Sequence, residues 1–187
     1  MRILHHGLIK WQGQLSRSVR FVQAHFLVKA SLLEQVSDSK RYKGEIKIIF
    51  SKDYIFQRYD TDREKISEML IAMSRNNRTF ESLNESERTL SLACRLDGEV
   101  GNGGLSQYFL NSEGVYIEET IKCLQSLNAH EHRKIFDQAS TVYLSNEDEE
   151  TKYKYWSDLT EQYDRIDYNL IYKLLIEFVR NHWNDFE

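Results

Sequence analysis

Not one proline occurs in these 187 residues, where a usage of about 5% is ordinary. Only eight glycines accompany that absence. A loop-rich sandwich or barrel needs both residues for its many turns, so helices joined by short polar connections become the expected architecture. Hydrophobic residues make up 41% of the chain and aromatics 12%, enough to build a core and to exclude disorder. The length suits one domain, or one domain with an arm. The expected fold is mainly α, a single helical domain of about six to eight helices, with a small β-hairpin admitted in the N-terminal third.

Apolar spacing locates the helices. Ile66, Met69, Leu70 and Met73 follow the i, i+3, i+4, i+7 rule and predict a helix over residues 61–75. Asn84 with Glu87 three positions later has the form of a capping box ahead of Leu90, Ala93, Cys94 and Leu96. The helix that follows is expected to run into Gly98 or Gly101. Val115 to Leu127 gives another, Ile135 to Tyr143 a further one, and, counting a helix that restarts at Leu105, Tyr155 to Ile166 a sixth. The last helix, about residues 167–182, carries two apolar rows, one of Leu170, Leu174 and Phe178, the other of Ile171, Leu175 and Val179, and must be covered by other helices. In the first third, "EIKIIFSKDYIFQR" reads as two short strands about a turn at Ser51, Lys52 and Asp53.

Charge divides the chain unevenly. Residues 1–59 hold 11 Lys and Arg against 4 Asp and Glu, whereas residues 60–187 hold 14 against 25. A basic arm, 1–59, thus precedes an acidic helical domain, 60–187. The arm has no acid before Glu34, and three readings fit it: a nucleic-acid-binding arm, an organelle-targeting peptide, or a peripheral element of no special role, which its dispersed charges favour. No apolar run reaches the roughly 18 to 20 residues of a membrane span, and the opening lacks a secretory form. Two cysteines, Cys94 and Cys123, are too few for a disulfide framework. A cytoplasmic protein with two buried thiols is expected.

The stretch "EVGNGGLSQYFLNSEG" sets Gly101, Gly103 and Gly104 before a Gln-Tyr-Phe run. It lacks the Lys-Ser/Thr of a phosphate loop and the strand-flanked G-x-G-x-x-G of a dinucleotide fold. As a tight corner it makes sense, with a helix restarting at Leu105 and with Tyr108 and Phe109 planted in the core. Glu99, Asn102, Gln107 and Asn111 then need partners, and without a nucleophile beside them a hydrogen-bonded knot between helices outweighs a reaction centre. An enzyme using Glu99, Asn102, Gln107 and Tyr108 is the weaker alternative; it requires an open pocket beside Gly103 and Gly104. His130 and His132 make half a metal site at best, on different helix faces, so neither metal nor cofactor is expected.

Carboxylates offer more. In the sixth helix Asp158, Glu161 and Asp164 fall opposite the apolar positions, and Glu147, Asp148, Glu149 and Glu150 run just before them. Acids three or four residues apart on a helix stand about 5 to 6 Å apart at Cβ, comparable with successive phosphates along a nucleic-acid strand. Such a row either keeps a protein soluble or occupies the DNA-reading face of a basic protein.

The same glycine stretch resembles the Glu-Val-x-Asn-Gly-Gly-Phe-x-Gln-Tyr-Phe-x-Asn-x-x-Gly signature of the bacterial DNA-mimic protein family, with Leu105 in place of the aromatic. "YIEETIKCLQSLNA" and "YDRIDYNLIYKLLIEFVRNHWNDF" resemble the helices that follow in that domain, and the likeness extends over residues 84–186. It implies a mostly helical, non-enzymatic, often dimeric domain. In the best-understood relative, acidic residues imitate DNA phosphates and sequester a helix-turn-helix regulator. The signature residues Glu99, Asn102, Gly103, Gly104, Gln107, Tyr108 and Asn111 would identify the scaffold. Binding to a basic partner, either a DNA-binding transcription regulator or a toxin neutralised by an immunity or antitoxin protein, would fall to Glu118, Glu119, Glu147, Asp148, Glu149, Glu150, Asp158, Glu161 and Asp164.

Overall fold

The computed structural model describes residues 52–74 and 78–186, and these fall within one compact unit. Among them are seven α-helices and two 3-10 turns, and no strand. The helices are α1 (Lys52–Arg58), α2 (Asp62–Ser74), α3 (Glu85–Ser112), α4 (Ile117–Ser126), α5 (His130–Leu144), α6 (Glu149–Asp164) and α7 (Leu170–Asn181). No helix among the described residues is long and apolar enough to cross a membrane.

The second half of the expected hairpin is corrected. Residues 52–58 are helical, and Ile55 is buried; the first half lies outside the described residues. Long-range packing decides the outcome, because Phe56 meets Trp183 edge-on at 4.9 Å between ring centroids, and Lys52 Nζ donates to the Trp183 carbonyl.

Helix α3 begins as its sequence dictates. Asn84 Oδ1 accepts from the Glu87 N–H at 2.9 Å while Glu87 Oε2 accepts from the Asn84 N–H at 2.9 Å, a reciprocal capping box. Glu87 is fully buried, and Arg78 compensates its charge by donating through both terminal nitrogens to its two oxygens.

The same helix is broken in its second half. Gly103 and Gly104 leave helical geometry, and Gly104 takes φ +75°, a conformation that costs a glycine little and other residues much. Arg95 Nη2 nevertheless donates to the Asn111 carbonyl at 3.3 Å. Sixteen residues of straight helix would separate them by about 24 Å, so α3 doubles back as a helical hairpin of residues 85–102 and 105–112. The expected corner is there, two residues beyond Gly101.

Helices α3, α4, α5 and α6 pack in a closed ring, each against the next, while α2 and α7 pack on α3 and on each other, and α1 packs on α2. The ring closes on aromatics. Phe109 stacks on Phe136, Tyr143 and Trp156 with centroids 5.2 to 5.6 Å apart, and Tyr108 meets Phe109 and Phe136 edge-on. Tyr108, Phe109 and Phe136 are wholly buried, and burial of such a side chain contributes roughly 1.5–3 kcal/mol.

Candidate interaction surface

The glycine corner is an inner, structural site. Glu99 is buried, and its Oε2 accepts from Gln107 Nε2 at 2.7 Å and from Asn111 Nδ2 at 2.8 Å. The two arms of the α3 hairpin are thereby tied together by one carboxylate. Asn102 is exposed at the turn. The Tyr108 hydroxyl pairs with the buried Thr120 Oγ1 at 2.8 Å; burial pushes the phenol up to about 12. Of the four residues in the enzymatic alternative, Glu99 and Gln107 thus bond each other and the Tyr108 hydroxyl is taken by Thr120. A groove of about 450 Å³ lies elsewhere, lined by residues that include Asn84, Ser86, Thr89, Phe178 and Asp185, and none of its lining belongs to the glycine signature.

Helix α6 shows how sequence sets orientation. Trp156, Leu159 and Tyr163 are buried, and Trp156 Nε1 donates to the Ala139 carbonyl of α5 at 3.1 Å. Thr160 faces the glycine corner: its Oγ1 accepts from the Leu105 N–H at 3.0 Å and donates to the Trp156 carbonyl at 2.7 Å. With one side so engaged, Asp158, Glu161 and Asp164 are exposed on the other. Glu161 stands 3.7 Å from Arg165, an exposed i,i+4 pair, which solvent screens to little net energy.

The remaining candidates gather at helix starts. Asp148 caps α6, accepting from the Thr151 N–H and hydroxyl at 2.9 Å each, and the backbone bond first, then the hydroxyl, holds its carboxyl below the usual range. Glu149 and Glu150 form the first turn of α6, Glu118 and Glu119 that of α4, and Glu147 precedes the cap. All six are exposed. Placement in first turns suits the helix dipole.

These two groups share one end of the bundle. An added Cβ on Gly114, just before α4, would lie 2.4 Å from Tyr143 Cε1, near the end of α5. Lys152 Nζ of α6 donates to the Tyr143 carbonyl at 3.2 Å. Asp158, Glu161 and Asp164 lie further along α6, about 14 to 23 Å from its start at 1.5 Å per residue.

The model of the DMP19-like protein family matches residues 81–182, just over half of the chain. The chain belongs to this family. Neither a curated protein nor a solved structure matches it. The DMP19-like match contains the whole glycine corner and all of α3 to α7, ending one residue beyond α7.

Within this DMP19-like domain lies a largely buried polar cluster whose members come from helices distant in sequence. Asp97 of α3 accepts from the Tyr172 hydroxyl of α7 at 2.8 Å, with the Arg63 guanidinium 5.3 Å over the Tyr172 ring. His132 of α5, read from sequence as half of a metal site, is buried edge-on to Tyr163 at 5.1 Å between centroids. Its Nδ1 and the Tyr163 hydroxyl have no hydrogen-bond partner among the described residues. Burial lowers the His132 pKa, against the pull of Asp97 and then Glu131, and burial raises that of Asp97. His130, its supposed companion, is exposed.

Proposed function

We propose that the chain is a non-enzymatic interaction protein whose acidic C-terminal surface occupies the DNA-reading face of a basic transcription regulator. The observation that carries this reading is the display of Asp158, Glu161 and Asp164 on a helix whose other side is locked by Trp156, Leu159, Tyr163 and Thr160. Fixed carboxylates lose little freedom when a cationic groove closes on them, so recognition is electrostatic and requires no bond making. Membership in the DMP19-like family supports the same role.

Affinity capture from the native host with mass spectrometry tests it. The wild type should retain a basic DNA-binding protein that is lost from a variant carrying Glu149→Lys, Glu150→Lys, Asp158→Lys and Glu161→Lys. Equal retention by both forms sinks the surface assignment, and a captured nuclease or other toxin replaces the regulator as partner.

A further inference from the structure

Four apolar side chains remain uncovered at the acidic end of the bundle. Leu144 is 71% exposed, Val115 64%, Leu110 52% and Tyr153 45%. Single exposed apolar residues are ordinary, but a group of them is not. Each of the four adjoins a member of one packed set: Leu110 follows Phe109, Val115 follows Gly114, Leu144 follows Tyr143, and Tyr153 meets Trp156 edge-on at 5.8 Å. Phe109, Tyr143 and Trp156 stack on one another, and Gly114 abuts the Tyr143 ring. Leu110 and Val115 thus flank the α3–α4 connection, Leu144 ends α5 and Tyr153 lies in the second turn of α6, all at the end of the bundle that this stack holds together.

Around them stand Glu113, Glu118, Glu119, Glu147, Asp148, Glu149 and Glu150, all exposed. Against these seven carboxylates stand three nearby cations, Lys152, the exposed Lys154 and Arg95, so the end stays net negative. Lys152 donates to the Tyr143 carbonyl, and Arg95 donates to the Asn111 carbonyl and lies 5.2 Å over the Tyr116 ring. An apolar centre within a charged rim is the anatomy of a protein-docking site.

Charge selects the occupant. A second copy meeting this end with its own equivalent end would oppose two acidic rims, as a two-fold contact requires. Nucleic acid and an anionic membrane surface are repelled for the same reason. We infer that this end docks a cationic amphipathic helix of a partner protein, with aliphatic side chains seated on Leu144, Val115, Leu110 and Tyr153 and flanking Lys or Arg residues paired with the rim. The inference rests on the acidic-surface reading and adds to it an apolar anchor that phosphate imitation alone does not need.

Three helical peptides of about 18 residues test this against the full chain: one with leucines on one face and lysines on the other, one with glutamine in place of leucine, and one with glutamate in place of lysine. The Leu–Lys peptide should bind about tenfold tighter than the Gln–Lys peptide, the scale of a moderate hot spot, and the Leu–Glu peptide should not bind. Amide NMR shifts should centre on Leu110, Val115, Leu144 and Tyr153, and Val115→Ser with Leu144→Ser should abolish the preference.

Equal, salt-sensitive binding of the Leu–Lys and Gln–Lys peptides overturns the anchor while leaving the acidic surface in place. A preference that survives Glu149→Lys with Glu150→Lys removes the electrostatic reading instead. Binding of the Leu–Glu peptide, binding of no peptide, shifts confined to residues 158–164, shifts showing that residues 1–51 already cover the patch, or a dimer that Leu144→Ser dissociates would each overturn the proposal.

Discussion

The backbone N–H of Leu105 donates to Thr160 Oγ1 at 3.0 Å, across 55 positions of sequence. Where Gly103 and Gly104 leave the helix, Leu105 loses its place in the backbone ladder, and a hydroxyl from α6 supplies the acceptor. Thr160→Val, which keeps the shape and removes the hydroxyl, should destabilise the domain by about 1–2 kcal/mol. Thr160→Ser should recover most of that in urea unfolding.

The glycines of the corner should respond oppositely to alanine. At Gly104, φ is +75° and a Cβ would lie 2.9 Å from Thr160 Oγ1, so Gly104→Ala should cost about 2 kcal/mol or more. Gly101 is helical, with nothing within 4 Å of an added Cβ, and Gly101→Ala should stabilise by up to about 1 kcal/mol. Thermal unfolding of the two variants beside wild type checks both signs.

Arg78→Ala should weaken folding by about 3 kcal/mol, the scale for leaving a buried carboxylate without its cation. Glu87 is 1% exposed and its partner 27%, so the loss falls on the inner member. Arg78→Ala combined with Glu87→Gln should cost less than Arg78→Ala alone, which a double-mutant cycle measures.

Tyr108→Phe leaves the buried Thr120 hydroxyl without the partner it has at 2.8 Å. The expected loss is about 1–2 kcal/mol, and Tyr108→Phe with Thr120→Val should recover part of it. Chemical denaturation of the pair decides.

Acid should weaken the fold through His132. Its folded pKa lies below 6.5 because burial disfavours the imidazolium, outweighing Asp97 and Glu131. The unfolded chain therefore binds more protons, and stability falls as pH drops below about 6.5 until the lowered folded value is passed. Asp97, raised by burial, works in the opposite sense, since protonation relieves its buried charge at lower pH. In His132→Phe the loss of stability just below pH 6.5 should shrink, as denaturation across pH 5 to 7.5 would reveal.

Local signals were legible in the sequence. Asn84 and Glu87 are three residues apart and fold on each other, so their type and spacing were sufficient. The apolar rows of α6 and α7 report burial directly, and Gly103 with Gly104 marked a corner. Distant partners carried the rest. Residues 52–58 hold a short apolar run, Tyr54 to Phe56, that suits a strand as well as a helix, and packing on α2 and on Trp183, 127 positions from Phe56, accompanies the helical outcome. Asp97 and Tyr172 are 75 positions apart; His132, three and four residues before Ile135 and Phe136, lies on the apolar face of its helix, so its burial was legible but its neighbour Tyr163 was not. The exposed site residues were nameable as polar positions on apolar helices. Their division into an end cluster and a row along α6 depends on how α5 brings the starts of α4 and α6 to one end, which no local pattern encodes.

Thr160 stands two residues from Asp158 and one from Glu161. The hydroxyl that mends the break in α3 therefore also fixes the rotational setting of α6 about its own axis. A disturbance of the buried corner would reach the surface as a turn of the negative row, not merely as a loss of melting temperature, and scaffold and display share one pivot.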